Sequence, residues 1–141
     1  MTIASALRGC CLLVLSLLAT GCDSGGLKTY KIPGKLVYED NTPVPGASLI
    51  FQTTVDGEVI SAQGMVNPDG SFKLTTFKPD DGVLAGEHTV SVAPLPPGDG
   101  EARPQPPVPQ IYWDLKTSGL KGKIEPTTKE IVLTINRQNA K

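Results

Sequence analysis

The chain has 141 residues, with 13 basic and 14 acidic side chains and a formal net charge of −1. So even a balance offers no field for nucleic acid or for an anionic membrane surface, and the length suits one domain around one core. All three cysteines, Cys10, Cys11 and Cys22, lie near the N-terminus, so the body has no thiol for a disulfide, a zinc site or a nucleophile.

The N-terminal segment has the build of an export leader. Arg8 supplies a short positive region, and Leu12 to Leu18 form an apolar run too short to anchor stably across a bilayer. The small residues Ala19, Thr20 and Gly21 then lead directly into Cys22. This order resembles the lipobox of bacterial lipoproteins, in which the cysteine thiol takes a diacylglyceryl group, the leader is cut before it and the new N-terminus is acylated. Ala19 stands where leucine is commonest, and an ordinary secretory leader cut nearby is the alternative. The resemblance implies a signal peptide over 1–21, and a lipidated Cys22 with a polar, flexible tether over 22–29. Arg8 leaves with the leader, so 12 basic residues then face 14 acidic ones, a balance of −2. No later segment approaches the length of a spanning helix, so membrane attachment is expected through lipid alone.

The remainder, 30–141, is expected to be a β-domain. Short runs of β-branched and aromatic residues alternate with Gly- and Pro-rich turn chemistry, and no stretch sustains helical periodicity. Strands are expected at Tyr30–Tyr38, Ala47–Thr53, Val59–Met65, Ser71–Phe77, Glu87–Ala93, Lys121–Glu125 and Glu130–Asn136. This spacing predicts an all-β fold, a single sandwich of about seven strands. Alternation nominates Leu36, Tyr38, Leu49, Phe51, Phe72, Leu74, Val90, Val92, Ile131, Leu133 and Ile135 for the core. Asn67-Pro-Asp-Gly70 predicts a tight turn, and with it a hairpin between the third and fourth strands. From Pro94 to Pro109, seven of sixteen residues are proline, which predicts a long extended surface loop. The pair Tyr112-Trp113 that follows is read as pinning the returning chain, with ligand contact as the alternative.

Several of these residues carry a family likeness. Ile32-x-Gly34-x-Leu36, followed by Pro43-Val44-x-Gly46-Ala47-x-Leu49-x-Phe51, is similar to the opening of carboxypeptidase regulatory-like domains, members of the wider transthyretin-like (prealbumin-like) sandwiches. Ala62-x-Gly64, with Asp69-Gly70-x-Phe72-x-Leu74, resembles their second signature. The run from Gly86 to Val92 resembles the strand that follows, and Thr117-Ser118-Gly119-Leu120 resembles a stretch in small bacterial lipoproteins of this type. The resemblance implies an immunoglobulin- or transthyretin-like sandwich over most of 30–136. Asn41 stands where these domains usually have glycine, a position that tolerates the left-handed region. The matching residues are turn and core residues, so they say little of function.

Catalytic chemistry is sparse. His88 is the only histidine and no serine sits in a Gly-x-Ser-x-Gly elbow, so the purine-pathway hydrolase activity known on this fold, which needs several histidines, is not carried over. Asp80 and Asp81 in one loop, with Asp99 and Glu101 in another, form the nearest thing to a divalent-ion site; solvated loop acids are the plainer reading, as for Asp40 and Asp69. No catalytic residue, cofactor or metal ligand is therefore nominated, and the one site is lipidation at Cys22. The expected function is a non-catalytic, lipid-anchored protein of the cell or outer membrane, its domain facing periplasm or exterior and presenting loops to an envelope protein or glycan. The alternatives are a carbohydrate- or calcium-binding accessory module, or a regulatory domain of an exported hydrolase. A glycan binder needs a flat row of aromatics, for which only Tyr30, Tyr38, Tyr112 and Trp113 are offered.

Overall fold

A computed structural model describes residues 26–95 and 108–137. The fold is all-β and sandwich-like, with nine strands: β1 (Thr29–Tyr30), β2 (Gly34–Tyr38), β3 (Ala47–Val55), β4 (Glu58–Met65), β5 (Ser71–Phe72), β6 (Val83–Leu84), β7 (Gly86–Pro94), β8 (Leu120–Ile124) and β9 (Ile131–Ile135). One 3₁₀ turn, Gln110–Tyr112, precedes β8. A four-stranded sheet has the order β4-β3-β7-β8, a three-stranded sheet β5-β2-β9, and β1 pairs with β6 alone.

The count of nine rather than about seven has local causes. The expected strand from Tyr30 to Tyr38 is interrupted at Pro33, which has no N–H to donate. Its carbonyl instead accepts from Ile131 N (3.0 Å), which starts the parallel pairing of β2 with β9 from Gly34↔Ile131 to Tyr38↔Ile135. The expected strand Ser71–Phe77 contracts to Ser71–Phe72, and Val83–Leu84 is a pairing not foreseen.

The hairpins also differ from expectation. The turn at Asn67–Gly70 forms, with Gly70 N donating to Asn67 O (2.9 Å) and Gly70 at φ 82°. Beyond it, however, β5 crosses to the other sheet and pairs with β2 (Gly34↔Phe72, Lys35↔Ser71), touching the β4 side only at the bridges Val66↔Phe72 and Gln63↔Thr75. The long hairpin is β3–β4, paired from Ser48↔Met65 to Val55↔Glu58. Asp56-Gly57 closes it, both residues at positive φ (50° and 85°), as a two-residue hairpin turn demands.

Alternation places the core as expected. Leu36, Tyr38, Leu49, Phe51, Phe72, Leu74, Val90, Val92, Ile131, Leu133 and Ile135 are all buried. The two sheets meet through Phe51 of β3 and Phe72 of β5, whose ring centroids lie 6.2 Å apart at 44°. Each ring rests on a glycine: a Cβ at Gly34 would overlap the Phe72 ring, and one at Gly122 would lie 2.9 Å from Phe51 Cε1. Asn41 adopts φ 62°, in the left-handed region that asparagine tolerates.

Phe72→Ala is expected to lower the unfolding free energy by about 3–5 kcal/mol in urea titrations, as large-to-small changes in cores do. Gly34→Ala should also destabilise, but far less once Phe72 is already alanine, because the clash is with that ring. Additive losses in this double-mutant cycle would show that the ring and the glycine are not coupled.

Candidate functional site

The strands give the molecule two distinct ends. Thr29, where the tether would enter, pairs with Leu84, at the same end as the Asp56-Gly57 turn and the start of β7. The opposite end holds the finish of β2, the finish of β7, where Ala47 pairs with Pro94, and Gln110–Tyr112. Nine-residue strands such as β7 put roughly 30 Å between the two ends, at about 3.3 Å per residue.

Both described roots of the proline-rich segment are fastened at this far end. Leu95 N donates to Gly46 O (3.2 Å), while Val108 is buried and its carbonyl accepts from Trp113 Nε1 (3.0 Å). Tyr112 is buried, and its hydroxyl accepts from Asn136 N (3.1 Å), capping the end of β9. The pair thus pins the chain as expected, yet Trp113 remains 44% exposed beside Ile111 at 42%. Around them Arg137 stacks on the Tyr38 ring (4.0 Å) and pairs with Asp40 (3.1 Å), and Asn136 Nδ2 donates to Glu39 Oε1 (2.8 Å). Burial pushes the Tyr38 hydroxyl up, against the Arg137 charge. Cys22, Asp99 and Glu101, and the loop residues 96–107, lie outside the described residues.

The acids singled out by the sequence are turn-makers. The Asp81 carboxylate accepts from the N–H groups of Thr76 (2.7 Å), Phe77 (2.9 Å) and Lys78 (3.0 Å). Burial acts to raise its pKa, but these three donors more than offset it and hold it below the ordinary 3.8. Asp69 accepts from Ser71 N (2.9 Å) and Ser71 Oγ (2.6 Å), and Asp40 from Thr42 N (3.0 Å). Asp80 sits at φ 55° with its N–H on Thr75 Oγ1 (3.0 Å). Among the described residues no three His, Cys, Asp or Glu side chains converge as metal ligands, and no helix is long and apolar enough to cross a membrane.

One concavity was not foreseen. An open groove of about 600 Å³ runs over the outer face of β3 and β4, lined by Ser48, Ile50, Gln63, Met65, Lys73 and Asp80 among others. A smaller hollow of about 330 Å³ beside it shares Lys73 and Asp80. Its wall exists because the chain after β5 lies against β4, which Gly64 permits: a Cβ there would sit 2.7 Å from Lys73 O. The groove offers a cation, a carboxylate, amide and hydroxyl groups. It has no aromatic lining residue; of the four aromatics considered for a sugar platform, Tyr30 stands at the β1 end, while Tyr38, Tyr112 and Trp113 lie at the far end, with Tyr38 and Tyr112 buried.

His88 is 2% exposed, with Nε2 2.9 Å from Leu84 O and its ring edge-on to Phe51 at 6.0 Å. Burial pushes its pKa down, with the Leu84 contact acting in the opposite direction. No family model, curated protein or solved structure matches the chain.

Asp81→Ala is expected to cost about 1–3 kcal/mol at pH 7, since it strands backbone donors. A carboxylate held below its ordinary value stabilises fully above pH 3.8 and loses that contribution as the pH falls further. The gap between wild type and variant in denaturant melts should therefore shrink between pH 5 and pH 2.5. A gap of constant size across that range would contradict the assignment.

Proposed function

We propose that this is a non-catalytic, lipid-anchored envelope protein whose sandwich is attached by one end and offers the other to a protein partner. The observation that carries the reading is the polarity of the fold. The segment from Cys22 leads into β1 at one end, whereas both roots of the proline-rich segment and the exposed Ile111 and Trp113 lie at the other. The stretch from Cys22 to Lys28 can extend to about 25 Å, enough to hold the domain clear of a bilayer surface. Three acyl chains, at about 0.8 kcal/mol per buried methylene, would make release negligible. The sequence likeness to transthyretin-like lipoproteins supports the same reading, and so does a surface where acids close turns rather than converge on a reaction centre.

The anchor is tested by Cys22→Ala. Wild type should incorporate labelled palmitate and sediment with membranes, and the variant should do neither. Label retained by the variant, or never taken up by wild type, would end the lipoprotein reading. The presenting end is tested by replacing 96–107 with a Gly/Ser linker of equal length. Crosslinked envelope partners should be lost while thermal stability is kept, and a full set of partners retained by the folded variant would contradict the assigned contact surface.

A further inference from the structure

The β3–β7 seam stops short of the strands that form it. Its last registered pair is Gln52↔Thr89, although β3 continues to pair with β4 as far as Val55↔Glu58 and β7 with β8 as far as Gly86↔Ile124. The next pair, Thr53 with His88, is not made, so the β3–β4 and β7–β8 ladders part in a fork at the tether end. An open hollow of about 260 Å³ lies there, lined by Gln52, Thr53, Thr54, Glu87, His88 and Lys121 among others.

His88 sits at the root of this fork. Leu84 O can only accept, so the 2.9 Å contact puts the imidazole hydrogen on Nε2 and leaves Nδ1 bare. Nδ1 is buried and has no hydrogen-bond partner among the described residues. A second proton would have to enter there, facing no acceptor in a low-dielectric core.

No neighbouring element brings a counter-charge to the ring. On β7, Glu87 is exposed and alternates to the opposite face from His88; on β8, Lys121 reaches Thr89 Oγ1 (3.1 Å) and Lys123 pairs with Glu125 (2.8 Å). The β3–β4 hairpin brings Asp56 and Glu58, both exposed, and β6 brings only Val83 and Leu84. Across the core the ring meets Phe51. A charged imidazole gains solvent by leaving the core, and because most side chains of the hollow stand on the opposite face of the sheet from the ring, that exit requires β3 and β7 to part further.

We propose that His88 makes the β3–β7 fork an acid-opened joint: protonation in mildly acidic surroundings unzips the tether end while the rest of the sandwich stays folded. The sign follows from linkage. The closed form takes the proton less readily than an exposed histidine, so closure is fully favoured above pH 6.5 and weakens as the pH falls below it.

The test is hydrogen–deuterium exchange on the full-length protein in detergent at pH 7.5 and 5.0, corrected for intrinsic rates. Peptides covering 52–55 and 86–89 should lose protection at pH 5.0 by a factor of up to about thirty, the limit set by protonation of an ordinary histidine over that range. Peptides covering β2 and β9 should hold, and His88→Gln, which keeps a donor for Leu84 O but does not titrate, should abolish the change. Fork protection independent of pH, loss spread evenly over the domain, or the same loss in His88→Gln would each overturn the proposal. Should His88→Gln fail to fold, NMR of the single histidine, isotopically labelled, decides in wild type. A midpoint below 6.5 that tracks fork exchange supports the joint, and one at or above 6.5 overturns it.

Discussion

The contact between Phe51 and Phe72 is the interaction on which the rest of the structure depends. The two rings come from different sheets, and each lies on a glycine, Phe72 on Gly34 of the adjacent β2 and Phe51 on Gly122 of β8, two strands away. A side chain at either glycine would drive a ring out of the seam, so sheet separation is set by two positions with no side chain at all. Phe72 must cross from the β4 side to pair with Gly34, and that crossing is why β5 is only two residues long. The crossing in turn lays residues 73–75 against β4 and builds the wall of the outer groove. His88 then closes the same aromatic row from the tether end, edge-on to Phe51.

Where a feature depended on residues adjacent in sequence, it could be read in advance. Period-two alternation gave the inner faces of β2, β3, β7 and β9, because a half-buried strand must sort apolar from polar side chains in that period. Asn41, Gly46 and Gly70 all take the positive φ their residue types suggest. What was missed depended on distant segments. Nothing local announces that β2 and β9 run side by side in parallel, or that β5 leaves its hairpin for the other sheet. Asp56-Gly57 carries a legible two-residue turn signal and closes the β3–β4 hairpin, whereas the chain leaving the Asn67–Gly70 turn crosses to β2 instead of completing the expected hairpin. The groove could not have been read at all, since its walls come from Ser48, Met65 and Asp80 on three separate segments.

The acids show how residue type misleads without geometry. Asp80 and Asp81 are adjacent and look alike in sequence. Asp81 is spent on three backbone donors of its own loop, whereas Asp80 lines both hollows beside Lys73. The aromatic pair at the far end divides in the same manner. Tyr112 is consumed in capping β9, while Trp113 fixes Val108 through its indole N–H and leaves much of its ring in solvent. Both cases separate a residue that holds the fold from a neighbour left free to meet something else.

The proposed anchoring makes a geometric demand: the tether end lies toward the bilayer and the far end roughly 30 Å beyond it, at about 3.3 Å per residue along β7. Trp113 is the only tryptophan in the chain, so its emission reports on the far end alone. The direct measurement is its fluorescence in the lipidated protein reconstituted into vesicles of brominated lipid, with co-flotation establishing attachment. The account predicts emission quenched by acrylamide in the water and unchanged by bromolipid. Strong bromolipid quenching would place the far end against the membrane and contradict it.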